Sequence, residues 1–193
     1  MDASYNSLKT AKQEVRKQMK AQRRQLSSSY RAEADKRILA NLEATEAYRK
    51  SRTLFCYVSF GQEAETRPLI LHALEKGKQV AVPRCQNDGR MEAFEITGLQ
   101  DLKEGFHGIL EPGSHCVRRE PDYFDLCVIP CVACTREGVR LGYGGGYYDR
   151  YLPKTRGFRV LLCHEKLVCQ DLPTERHDCL MDMIITENHV IFC

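Results

Sequence analysis

TLFCYVSFGQEAETRPLILHALEKGKQVAVP, residues 53–83, holds a complete strand–helix–strand unit. TLFCYVSF (53–60) is a short, apolar, β-prone run and reads as the first core strand. Thr66 stands where a helix cap belongs and Pro68 falls in the first turn, so a helix runs through LILHALEK and ends at Gly77. KQVAVP (78–83) is the next strand.

The same texture continues downstream. MEAFEI (91–96), DLCVIP (125–130), FRVLLC (158–163) and MDMIIT (181–186) read as strands, and Tyr147 to Leu152 as a helix. Residues 97–123, rich in glycine and proline, predict loops with a short helical turn. Alternating apolar strands and helices predict an α/β fold with an open, mainly parallel sheet flanked by helices. In such sheets ligands gather at loops leaving the C-terminal strand ends. Both QEAET (62–66) and the loop opened by Arg140 occupy such places.

Upstream, Leu8, Ala11, Val15, Met19 and Leu26 form one apolar stripe, predicting a helix over 7–26. Lys9, Lys12, Arg16, Lys20 and Arg23 lie along its flank. Ser27 to Ser29 interrupt the pattern and cap a second helix, roughly 30–48. The chain thus reads as a single domain, residues 1–193, with a basic helical arm over 1–50 and an α/β core over 51–193.

Composition narrows the class. Hydrophobic residues make up 42% and charged residues 28% of the 193, which suffices for an ordinary core. No apolar run approaches the roughly 20 residues that cross a bilayer, and the N-terminus shows no signal-peptide core. A cytoplasmic protein is expected, with no membrane contact. The ten cysteines are scattered and several fall inside apolar runs, so they read as reduced and mostly buried. Of the net charge of +3, the first 31 residues supply eight Lys/Arg against two acids, so the basic character belongs to one element. That helix lacks interleaved aromatics and a second basic patch, so nucleic acid is not an expected partner.

RLGYGGGYYDRY (140–151) is the segment that carries chemistry. Four glycines in five positions let backbone amides approach a ligand closely, and a following helix would add its N-terminal amides, favouring phosphate. It is neither a Walker loop nor a dinucleotide fingerprint. The bland reading is a glycine-rich turn. Two tyrosines, Asp149 and the bracketing Arg140 and Arg150 favour a ligand loop.

RLGYGGGYYDRYL closely resembles the signature of the 5-formyltetrahydrofolate cyclo-ligase (methenyltetrahydrofolate synthetase) family. The resemblance continues through KQEVR (12–16), SFGQEAET (59–66), Val82-Pro83-Arg84, residues 108–112, DLCVIP and RHDCLMDMIITE (176–187). It implies a sheet fold of the sugar-phosphate isomerase and CoA-transferase type. It also implies ATP-dependent closure of 5-formyltetrahydrofolate to 5,10-methenyltetrahydrofolate through a phosphorylated formyl intermediate. ATP contacts then fall to Lys12, Arg16, Arg140, Leu141, Gly142, Tyr143, Gly144, Gly145, Gly146, Tyr147 and Tyr148. Substrate contacts fall to Val58, Glu63 and Tyr147, and a magnesium ion to Asp149 and Asp178, with Asp182 a competitor for the latter role.

Lys12 and Arg16 stand four apart on one helix face, within reach of one phosphate chain. Lys20 and Arg23 have no such match and read as a solvated face. Tyr147 and Tyr148 contact the ligand or serve as core aromatics; no side chain is assigned as a general acid or base.

The chain departs from the family pattern at Cys134-Thr135, where an aromatic and an acid are usual, and at Gly145, lysine in some relatives. Other cations must then meet the phosphate charge. Cys131 and Cys134 make a CxxC spacing without a second pair, with Cys179 a conceivable third ligand. Buried packing is the default. None of the six histidines falls in an HExxH pattern, and His177, which adjoins Asp178, reads as structural before site-lining. A binding module that has lost turnover and an RNA-binding protein are the readings from other classes. A monomer is expected.

Overall fold

A computed structural model describes residues 3–86, 88–105, 108–175 and 178–193. Helices α1 (Ala3–Gln25), α2 (Ser28–Ala44) and α3 (Glu46–Lys50) open the chain. Then come β1 (Thr53–Cys56), α4 (Arg67–Glu75), β2 (Gln79–Cys85), β3 (Met91–Ile96), β4 (Leu102–Glu104), β5 (Leu110–Pro112) and β6 (Val117–Arg119). The last part holds β7 (Leu126–Ile129), β8 (Ala133–Thr135), β9 (Arg140–Leu141), α5 (Tyr147–Tyr151), β10 (Phe158–Leu162), β11 (Val168–Cys169), β12 (Met183–Ile185) and β13 (Val190–Phe192).

Eight strands form the main sheet, in the order β13-β12-β10-β7-β1-β2-β3-β6. The five from β12 to β2 are mutually parallel, while β13, β3 and β6 join antiparallel at the two edges. The mainly parallel sheet is as expected. Every residue of β1, β7 and β12 is buried, as required of strands covered on both faces. Successive residues alternate between faces. Phe55, Cys127, Ile129 and Leu161 share one core with Met19 of α1 and Leu26 just beyond it. Leu54, Leu126, Val128 and Val160 share the other with Ile38 and Leu42 of α2 and Leu69 and Ile70 of α4.

Three expectations need correction. The second helix is two, because extended backbone at Thr45 breaks it and the Thr45 hydroxyl caps α3 by accepting the Tyr48 amide at 3.2 Å. The first core strand stops at Cys56, short of Phe60. Beyond it the Tyr57 carbonyl accepts the Thr66 hydroxyl at 2.7 Å, and the Tyr57 hydroxyl donates to the Ala64 carbonyl at 2.8 Å. Thr66 precedes α4 as expected, yet its hydroxyl does not cap that helix. It accepts the Ser59 amide at 2.9 Å, pinning the QEAET loop to the strand end. The basic helical arm packs against the core: Met19, Lys12 and Arg23 of α1, and Leu26 just after it, are all buried.

Candidate active site

After β7 the chain forms a β8–β9 hairpin, pairing Ala133 with Leu141 and Cys134 with Arg140. The hairpin returns Arg140 beside the end of β7. Its guanidinium, almost wholly buried, donates to the Pro130 carbonyl at 3.3 Å and to Asp149 Oδ1 at 2.5 Å. Both ends of the glycine-rich loop are thereby tied to one cation. Gly144 at φ +102° and Gly146 at φ +69° give the loop a path that L side chains rarely adopt. Arg150 braces it from outside, donating to the Gly145 carbonyl at 2.7 Å and to the Gly89 carbonyl at 2.7 Å. The helix after the loop is a single turn, so its dipole would add little to the binding of an anion.

Helix α1 lies across this loop. Arg16 Nε donates to the Gly142 carbonyl at 2.8 Å, and the guanidinium carbon stands 3.5 Å from where a Cβ on Gly144 would project. Lys12 Nζ donates to Glu175 at 2.7 Å and to Asp178 at 2.6 Å. Burial lowers the Lys12 pKa, but hydrogen bonds and charge from Asp178 and Glu175 outweigh it, so the ammonium persists above its ordinary range. Burial lowers Arg16, with Asp149 the largest opposing charge.

These groups enclose a cleft of about 710 Å³ whose walls include Lys12, Arg16, Tyr143, Gly144, Asp149 and Asp178. Lys9, Lys17, Lys20 and Arg24 also line it, supplying the cations that Gly145 does not. Three acids, Asp149, Glu175 and Asp178, face this basic wall. A volume of this size holds a small-molecule ligand, and its charge favours a polyanion carrying a divalent cation.

The assignment of Arg23 to a solvated face is wrong. Its guanidinium is buried, donating to the Tyr143 hydroxyl at 2.6 Å and to the Cys131 and Val132 carbonyls at 2.7 and 3.0 Å. Tyr143 also neighbours Glu63, whose Oε2 accepts the Phe60 amide at 2.9 Å. Burial pushes the Glu63 carboxyl up, while the Phe60 amide, Tyr143 and Arg23 oppose it. Arg23, Tyr143 and Glu63 thus gather between the cleft and the loop after β1.

Arg23→Leu would leave two buried carbonyls and Tyr143 without their donor. We expect a loss of about 2–4 kcal/mol in stability, read from the urea midpoint at unchanged m-value.

Other predicted site residues are spread around this centre. Val58 and Leu141 are core side chains, so ligand contact from either would be through backbone. Tyr147 lies outside the cleft wall, its hydroxyl donating to the Gln86 carbonyl at 3.3 Å. Tyr148 packs beside Phe55 under the Arg140 guanidinium. Asp182, just before β12, accepts the Arg159 amide at 2.7 Å and does not line the cleft as Asp178 does. His164 is buried against Asp35 at 2.8 Å. His177 lies outside the described residues. Thr135, in place of the usual acid, is buried in β8, and its hydroxyl accepts the Glu137 amide at 3.3 Å.

All ten cysteines are free, and five are buried: Cys56, Cys127, Cys131, Cys134 and Cys163. The sulfur that joins Cys131 and Cys134 is that of Cys163, not Cys179. Among the described residues no helix is long and apolar enough to cross a membrane.

Sequence reasoning missed Arg23 and Glu175. Arg23 stands seven residues after Arg16, on the same helix face, and Glu175 stands three before Asp178. Both signals were present in the spacing.

The 5-formyltetrahydrofolate cyclo-ligase family pattern matches residues 8–187. The mouse 5-formyltetrahydrofolate cyclo-ligase is 26% identical over 195 residues, covering 94% of this chain and 96% of its own. The Saccharomyces cerevisiae enzyme of that name is 30% identical over 161 residues, covering 70% and 75%. Among solved structures, the 5,10-methenyltetrahydrofolate synthetase of Aquifex aeolicus superposes with a TM-score of 0.85 at 30% identity, covering 94% of this chain and 92% of that one.

Proposed function

The chain belongs to the 5-formyltetrahydrofolate cyclo-ligase family, and on that premise we propose that it closes 5-formyltetrahydrofolate to 5,10-methenyltetrahydrofolate while converting ATP to ADP and phosphate. The observation that carries this is the meeting of Lys12 and Arg16 with the glycine-rich loop, Asp149 and Asp178 in one cleft.

The chemistry explains the need for ATP. The formyl oxygen is a poor leaving group from an amide-like carbon. It attacks the γ-phosphorus, ADP departs, and the carbon becomes electrophilic. The amine at position 10 then adds to that carbon, a proton is lost, and the oxygen leaves as part of inorganic phosphate. The protein's share is positioning and charge neutralisation.

Arg16, Lys12 and the exposed lysines of α1 neutralise the triphosphate, while the Gly144–Gly146 backbone lets it approach. Arg140 orients Asp149 from behind. Asp149 and Asp178 suit a magnesium ion, which takes one or two carboxylates and fills its remaining positions with phosphate oxygens and water. Bound there, it would shield charge building on the transferred group. We assign the folate to the Glu63 side, beside Tyr143, where Glu63 accepts the Phe60 amide in the loop after β1.

Oxygen labelling tests the route. With ¹⁸O in the formyl group, we expect one labelled oxygen in inorganic phosphate per methenyl product formed. Label appearing in water would overturn the phosphorylated intermediate.

A further inference from the structure

Three thiols with no part in the proposed reaction meet behind the glycine-rich loop. Cys131, just after β7, Cys134, in β8, and Cys163, just after β10, place their sulfur atoms within 4.8 Å of one another, all three side chains buried. They are free cysteines, two from the stretch that leads from β7 into the β8–β9 hairpin and one from just past the end of β10. We propose that this trio is a binding site for a soft, closed-shell cation in trigonal thiolate coordination, copper(I) being the fitting ion.

The geometry suits such an ion. A metal–sulfur bond of about 2.3 Å places three trigonal sulfurs about 4 Å apart, inside the spacing found here. Soft thiolates select copper(I) and zinc over harder cations. Closed zinc sites take four ligands, and among the described residues no fourth His, Cys, Asp or Glu atom joins the group. Three ligands in a dry setting fit copper(I), which accepts trigonal coordination.

Charge is also provided for. Binding copper(I) to three thiols releases three protons to solvent and leaves two net negative charges in the core. Arg23 donates to the Cys131 carbonyl, and Arg140 donates to the neighbouring Pro130 carbonyl. The neighbouring Cys134 and Cys163 thiols draw Cys131 toward its thiolate against its burial, and the two buried guanidiniums add to that. The same two arginines hold Tyr143 and Asp149, so an occupied thiol site would be coupled to the cleft in front of it.

The test is an anaerobic titration of the reduced, full-length protein with copper(I) against a competing chelator of known affinity. We expect one copper per chain, with thiolate-to-copper charge-transfer absorption. X-ray absorption should show three sulfurs at about 2.3 Å. Cys134→Ser should weaken binding at least about 100-fold, while Cys193→Ser leaves it unchanged. Should Cys134→Ser fail to fold, the sulfur count in the unaltered protein decides. Complete loss of copper to the chelator, a two-sulfur shell, undiminished binding by Cys134→Ser, or equal retention of zinc would each overturn the proposal. So would recovery of Cys131 and Cys134 as a disulfide that binds no copper.

Discussion

Lys12→Ala should lower kcat/KM for ATP by about 10³-fold, equivalent to about 4 kcal/mol of lost transition-state stabilisation. Two effects combine in that figure. The ammonium is the buried cation of the cleft and stays charged throughout the working pH range. It also holds Glu175 and Asp178 together at 2.7 and 2.6 Å. Without it, two partly buried carboxylates face each other and the segment carrying Asp178 shifts. Steady-state kinetics at varied ATP measures the loss, and urea unfolding measures the accompanying destabilisation, expected at about 1–3 kcal/mol. Lys12→Arg should recover part of both. A variant with unchanged ATP kinetics would remove Lys12 from the nucleotide site.

Asp149→Asn should lower activity about 10²- to 10³-fold and raise the magnesium concentration giving half-maximal rate. The amide oxygen still accepts from Arg140, so the buried guanidinium keeps a partner and the protein stays folded. What disappears is the negative charge. Asp149→Ala removes both, adding a stability loss of about 1–3 kcal/mol from the orphaned Arg140. Comparing the two variants by thermal unfolding and by magnesium titration separates the structural role from the metal role. If Asn and Ala lose stability alike while magnesium dependence is untouched, Asp149 serves only to hold Arg140.

The core strands were legible because parallel strands buried on both faces must be continuous apolar runs, as in DLCVIP. The glycine-rich loop was legible because its composition has no cheap structural use. Strand ends were harder to read. Tyr57 and Val58 are as apolar as Leu54 and Phe55, and only the tertiary bonds from Thr66 and Ala64 turn them out of the sheet. The short strands β8, β9 and β11 carry no period long enough to detect. Arg23 was misread for a different reason: a basic residue beside other basic residues looks solvated until the chain that will bury it is known. Its partners lie more than 100 residues away.

The most direct test of the central claim is the absorbance of the conjugated methenyl product. Purified protein would be mixed with 5-formyltetrahydrofolate and magnesium, with and without ATP. A rise that requires ATP, with one phosphate released per product, is the predicted result. No rise from folded protein that binds both ligands would contradict it and leave a folate- and nucleotide-binding module without turnover.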